Sequence, residues 1–173
     1  MPSFDARKPE GFTLIEMAII AMIIGILSAI ALPSFLSFLN ARRVDQALDD
    51  LESALKQIQL EAVRRSRNCN INISTGNNPT ITGRTGTYDC LRIGREPLDG
   101  INLTSSVATN PLTITFDFKG RPNNATTTTI VLSLTSGESP ARCLVLAPGI
   151  GISRTGNYNG TGTVASNCIT PQP

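Results

Sequence analysis

From Phe12 to Leu39 the chain runs 28 residues with one ionisable side chain, Glu16, in a stretch otherwise built of apolar and small uncharged residues. As a helix this run extends roughly 42 Å at about 1.5 Å per residue, more than the ~30 Å hydrocarbon core of a bilayer. A membrane-spanning helix is therefore the first expectation. A solitary carboxylate in such surroundings is costly unless it meets a cationic partner, so Glu16 is the first candidate functional residue.

An ordinary secretory signal has an apolar stretch of about 7–15 residues followed by a small-residue cleavage site, and this run is too long for that. The chain changes character upstream instead, where the polar leader Met1–Gly11, carrying Arg7 and Lys8, meets Phe12. The residues Gly11-Phe12-Thr13-Leu14-Ile15-Glu16 resemble the class III signal of type IV pilins and type II secretion pseudopilins, and Gly25 and Pro33 continue the likeness. The resemblance implies that a prepilin peptidase cuts between Gly11 and Phe12 and that Phe12 is then N-methylated. It also implies that Glu16, the fifth residue of the mature chain, pairs with the amino terminus of a neighbouring subunit. Electrostatics agrees: an ammonium and a carboxylate each removed from water are expensive alone, and their pairing offsets that cost while fixing register.

Beyond Leu39 the apolar residues Val44, Ala47, Leu48, Leu51, Leu55, Ile58 and Ala62 recur at threes and fours, the single stripe of an amphipathic helix. Asp45, Asp49, Asp50, Glu52, Lys56, Glu61, Arg64 and Arg65 fall between them and predict a solvated opposite face. Arg64, Arg65 and Arg67 suit the negative end of the helix dipole, and Asn68 is the expected stop.

The rest of the chain is rich in Thr, Ser, Asn, Gly and β-branched residues. Leu112–Phe118 alternates apolar and polar residues as a half-buried strand does, and Thr129–Leu134 is a second strand. The turn residues 120–124 between them predict a hairpin or short meander. Arg142–Ala147 is a third strand, Tyr88–Ile93 and Asn70–Ser74 are weaker ones, and residues 75–86 and 154–173 read as mostly loop. A helix followed by closely spaced strands predicts an α+β fold, a small antiparallel sheet packed on the outer half of the long helix. The expected divisions are a leader over 1–11, an assembly helix over 12–39, its amphipathic continuation over 40–68 and a β-rich domain over 69–173.

Cys69, Cys90, Cys143 and Cys168 all follow the apolar run, which predicts two disulfides in an oxidising compartment. Three pairings are open. Cys69 with Cys90 and Cys143 with Cys168, each closing a short local loop, is the favoured one. No CxxC pair and no histidine occur, so zinc is disfavoured, and Ser-His-Asp, Cys-His and HExxH chemistry are excluded. Neither a GxxxxGK[ST] nor a GxGxxG spacing is found, and Gly149, Gly151, Gly156, Gly160 and Gly162 read as turn residues. No enzyme, cofactor or metal is implied.

Three further features are similar to the GspH/FimT branch of minor pilins and pseudopilins: the helix end Ala62–Arg65 before a cysteine, Phe116-x-x-x-Gly120, and the stretch Arg142–Arg154. That likeness implies a low-abundance structural subunit at or near the tip of a type IV pilus or a type II secretion pseudopilus. The partners it implies are other pilin or pseudopilin subunits, a prepilin peptidase and an inner-membrane assembly platform. The chain would sit in a bacterial inner membrane as a single-pass protein with its cysteine-bearing domain in the periplasm. A DNA-binding minor pilin or a tip adhesin is the alternative, with Arg92, Arg95, Arg142 and Arg154 as the candidate nucleic-acid patch. An unprocessed membrane-anchored enzyme is a third reading, for which the chain offers no catalytic constellation.

Overall fold

The computed structural model describes residues 11–85, 88–91, 97–137 and 140–169. It divides into two compact units, residues 1–38 and 39–173. Helix α1 (Leu14–Arg64) begins in the first and ends in the second. The strands follow in order: β1 (Cys69–Ile73), β2 (Gly76–Asn77), β3 (Ile81–Thr82), β4 (Arg84–Thr85), β5 (Tyr88–Asp89), β6 (Ile101–Ser105), β7 (Leu112–Phe116), β8 (Thr128–Leu134), β9 (Ala141–Leu146), β10 (Ser153–Tyr158) and β11 (Cys168–Ile169).

These strands make a three-stranded sheet in the order β3-β1-β7, a six-stranded sheet in the order β11-β10-β9-β8-β6-β2, and a β4-β5 ribbon. The pairings are antiparallel throughout, as the α+β expectation requires. Both larger sheets cover one helical stripe. Val44, Ala47, Leu48, Leu51, Leu55, Ile58 and Ala62, with Ala54, share a core with Ile71 and Ile73 of β1, Ile114 and Phe116 of β7, Leu103 of β6, Ile130 and Leu132 of β8, and Leu144 and Leu146 of β9. Each such large side chain contributes roughly 1.5–3 kcal/mol on burial, so this stripe is the main source of stability in the second unit. The odd-numbered residues of β8 and β9 face away from α1, and there Val131, Cys143 and Val145 form a second, smaller cluster with Tyr158 and Cys168.

The structure corrects several sequence readings. Leu112–Phe118 and Thr129–Leu134 do not form a hairpin. β7 pairs along its length with β1, while β8 pairs with β6 and β9 in the other sheet. The strand also stops at Phe116, because Asp117 to Arg121 close a tight turn and leave Phe118 exposed. The helix ends at Arg64, short of Asn68. Ser66 adopts φ +49°, its N–H donates to Val63 O at 3.1 Å, and the Arg67 N–H donates to Ala62 O at 3.1 Å, which together are a Schellman cap.

Glu61, expected on the solvated face, is 9% exposed and pairs with Arg65 at 2.5 Å and Arg64 at 3.8 Å. The stretch 154–173, read as loop, supplies most of β10 and all of β11. Gly156 is accordingly a buried strand residue opposite Cys143 rather than a turn. Of the weak strand Tyr88–Ile93 only β5 forms among the described residues, and Arg92–Ile93 lie outside them.

Candidate assembly interface

The described residues of the first unit are exposed. Residues 11–30 and 34–39 are all exposed, with Phe12 at 72%, Leu14 at 89% and Ile15 at 68%. A helix apolar on every face and covered by none of the described residues needs lipid or other helices around it. No single straight helix among the described residues is long and apolar enough to cross a membrane. Leu14–Ile30 and Ser34–Arg64, which meet at residues 31–33, satisfy that requirement together by length and composition. The junction contains Pro33, whose missing N–H removes one helical hydrogen bond and so makes a break there inexpensive.

Glu16 lies in the first turn of α1 and is the one ionisable side chain between Gly11 and Leu39. Its N–H donates to Thr13 Oγ1 at 3.3 Å, so Thr13 caps the helix, and Thr13-x-x-Glu16 has the spacing of a capping box. That spacing is visible in the sequence and identifies a role for Thr13 that the apolar pattern alone does not. An acid in the first turn also suits the positive end of the helix dipole.

In the second unit the cysteines pair as Cys69–Cys90 and Cys143–Cys168, with Cα atoms 5.8 Å and 5.7 Å apart. All four are buried. The first bridge secures the segment that follows β5. Cys90 and Leu91 there both donate N–H groups to Gly83 O, at 2.8 Å and 3.1 Å. Gly83 is a close-approach position, since a Cβ on it would lie 2.5 Å from Leu91 Cβ and 2.7 Å from Ile58 Cδ1 of the helix. The second bridge joins β9 to β11 across β10, inside the smaller cluster.

Of the arginines considered for nucleic acid, the two that are described, Arg142 and Arg154, lie on opposite faces of the larger sheet. Arg142 donates to Asp45 Oδ1 at 2.5 Å, tying β9 to α1, and its side chain is only 18% exposed. Arg154 stands opposite Val145, three residues along β9, and therefore on the other face of the sheet. Its Nη2 donates to Ala165 O at 2.8 Å. Arg92 and Arg95 lie outside the described residues.

A bare apolar helix with a capped, acid-bearing start, leading into a disulfide-bonded antiparallel β unit, defines a pilin-like subunit. A family profile described as the prokaryotic N-terminal methylation motif matches residues 6–32, and one described as type II transport protein GspH matches residues 47–149, more than half of the chain. The chain belongs to the GspH family. Among solved structures it is similar to the type IV minor pilin FimU of Pseudomonas aeruginosa strain PAO1. The P21 crystal form matches with a TM-score of 0.52 and 15% identity over 68% of this chain and 90% of FimU, and at that identity it shows a common fold. The P65 form gives 0.49 and 15% over 64% and 90%. No curated protein matches significantly.

Proposed function

We propose that this chain is a minor structural subunit of a type IV pilus or type II secretion pseudopilus, cut between Gly11 and Phe12 by a prepilin peptidase and methylated on Phe12. It first resides in a bacterial inner membrane through residues 12–39, with residues 40–173 in the periplasm. An assembly platform then transfers it into a filament, at or near the tip. The observation that carries this reading is the uncovered apolar helix with its one carboxylate at the start.

Moving that helix from lipid into a bundle of like helices brings little net hydrophobic gain, because lipid tails are as apolar as the helices. Packing shape and the meeting of Glu16 with a neighbour's new amino terminus must therefore select the position. The buried disulfides support a periplasmic location for the second unit, since such bonds persist in oxidising compartments. Shearing surface filaments or isolating pseudopili from the native host tests the proposal. The chain is expected in that fraction and absent from it when the prepilin peptidase is deleted; its presence regardless of the peptidase would contradict the proposal.

A further inference from the structure

Asn159 is followed by Gly160, and no other asparagine in the chain precedes a glycine. The neighbour matters chemically, because the backbone nitrogen of one residue can attack the side-chain amide of an asparagine just before it and close a succinimide ring. A Cβ on the attacking residue hinders that approach, glycine has none, and proline has no N–H to give. Asn78 and Asn110 precede prolines, and Asn70 and Asn72 precede isoleucines.

Both reacting groups are open to water, since Asn159 and Gly160 are exposed in the turn after β10. Among the described residues, neither the Asn159 carboxamide nor the Gly160 N–H has a hydrogen-bond partner. Other asparagine side chains are held. Asn72 Oδ1 accepts from Thr113 Oγ1 at 2.8 Å, Asn123 Oδ1 from the Thr115 N–H at 3.1 Å, and Asn124 Nδ2 donates to Thr126 O at 2.9 Å. Asp99-Gly100 is the corresponding aspartyl pair, and there the attacking N–H is already engaged, because Gly100 donates it to Asn78 Oδ1 at 2.8 Å.

The fold also keeps glycine at position 160. Its φ is +150°, and a Cβ there would lie 2.3 Å from Asn167 Nδ2 and 2.9 Å from Asn167 Cγ. The packing that demands glycine thus gives Asn159 its least hindered neighbour. The loop after it is wound on two residues: the Asn159 N–H donates to Asn167 O at 3.0 Å, Tyr158 Oη donates to Thr161 O at 3.3 Å, and the Val164 N–H donates to Tyr158 Oη at 3.0 Å. Cys168, bridged to Cys143, ends that loop.

We propose that Asn159 is a self-modifying site. The Gly160 nitrogen bonds to Asn159 Cγ, the side-chain nitrogen leaves as ammonia carrying the Gly160 amide proton, and water opens the succinimide at either carbonyl to give aspartate or isoaspartate. Water is the only co-reactant. Isoaspartate routes the backbone through the former side chain and lengthens it between residues 159 and 160, so Thr161 and Val164 lose register with Tyr158 while the Cys143–Cys168 bridge retains β11.

Full-length protein in detergent, aged at mildly alkaline pH to deprotonate the attacking amide, provides the test. Peptide mapping with electron-transfer fragmentation should show Asn159 passing from the amide to the acid mass, with isoaspartyl fragments, while Asn124 and Asp99 stay unchanged. The isoaspartyl form should lose hydrogen-exchange protection over residues 161–167 and keep it in β8 and β9. Asn159→Gln, whose side chain would have to close a larger ring, should keep its amide over the same time. Asn159 lasting as long as Asn124, isomerisation at Asp99 first, acid formed without isoaspartate, conversion of the Asn159→Gln chain at the parent's rate, or an isoaspartyl form as protected as the parent would each overturn the proposal.

Discussion

Glu16→Ala is expected to leave the second unit folded and oxidised while removing the chain from filaments. Glu16 is exposed and belongs to the first unit, whereas the core stripe starts at Val44, so its loss touches no core contact. In an assembled bundle the same change would leave an amino terminus in apolar surroundings without its counter-charge. Breaking one side of such a buried pair costs about 3–5 kcal/mol, a drop of ~100-fold or more in incorporation. Glu16→Gln, which keeps the size and removes the charge, should behave alike. Equal membrane levels by immunoblot, intact disulfides and near-absence from the filament fraction are the expected results. A variant that assembles at the parent's level would show that Glu16 has no part in register.

Removing the two disulfides is expected to have unequal consequences. In the chain-entropy model, loops with separations of 21 and 25 residues each gain about 3 kcal/mol from closure. Cys69–Cys90 lies in the main core, where it secures Gly83 and Leu91 against Ile58 of the helix. The double change Cys69→Ser with Cys90→Ser should therefore lower the melting temperature of the whole second unit, by roughly 10 °C for a domain of this size. Cys143–Cys168 lies in the smaller outer cluster and anchors a two-residue edge strand. Cys143→Ser with Cys168→Ser should expose residues 159–169 to hydrogen exchange and proteolysis while protection in α1 and β1 persists. Equal loss of protection across the unit in both variants would contradict this division into two clusters.

The elements legible in the sequence were those whose pattern is set by one partner. The helical stripe from Val44 to Ala62 shows at threes and fours because one face meets both sheets. Leu112–Phe118 and Thr129–Leu134 show because their apolar side chains mark a strand, and the strands form over Leu112–Phe116 and Thr128–Leu134. Their pairing was not legible, because the turn residues between them suit a hairpin and only the competing partners β1 and β6 decide otherwise. β10 was invisible for a different reason. Ser153–Tyr158 is mostly polar and holds a glycine, and it is a strand because the backbone of β9 pairs with all six residues.

The same distinction applies to the interface. Glu16 stands out because a charge in an apolar run is conspicuous at the level of composition, whereas Gly11 and Phe12 are named only through the resemblance to pilin signals. The exposure of Phe118 does not show in the sequence, since it depends on the Asp117 turn ending β7 two residues early. Arg142 was a candidate for a nucleic-acid patch in the sequence, and in the structure it meets Asp45 across 97 residues of chain, a contact no local pattern encodes.

The most direct measurement is the intact mass of the protein recovered from its native host, with sequencing of its N-terminal peptide. A chain beginning at Phe12 and carrying one added methyl group, with both disulfides closed, is the expected result. A chain still beginning at Met1 in cells whose filament or secretion apparatus works normally would contradict it.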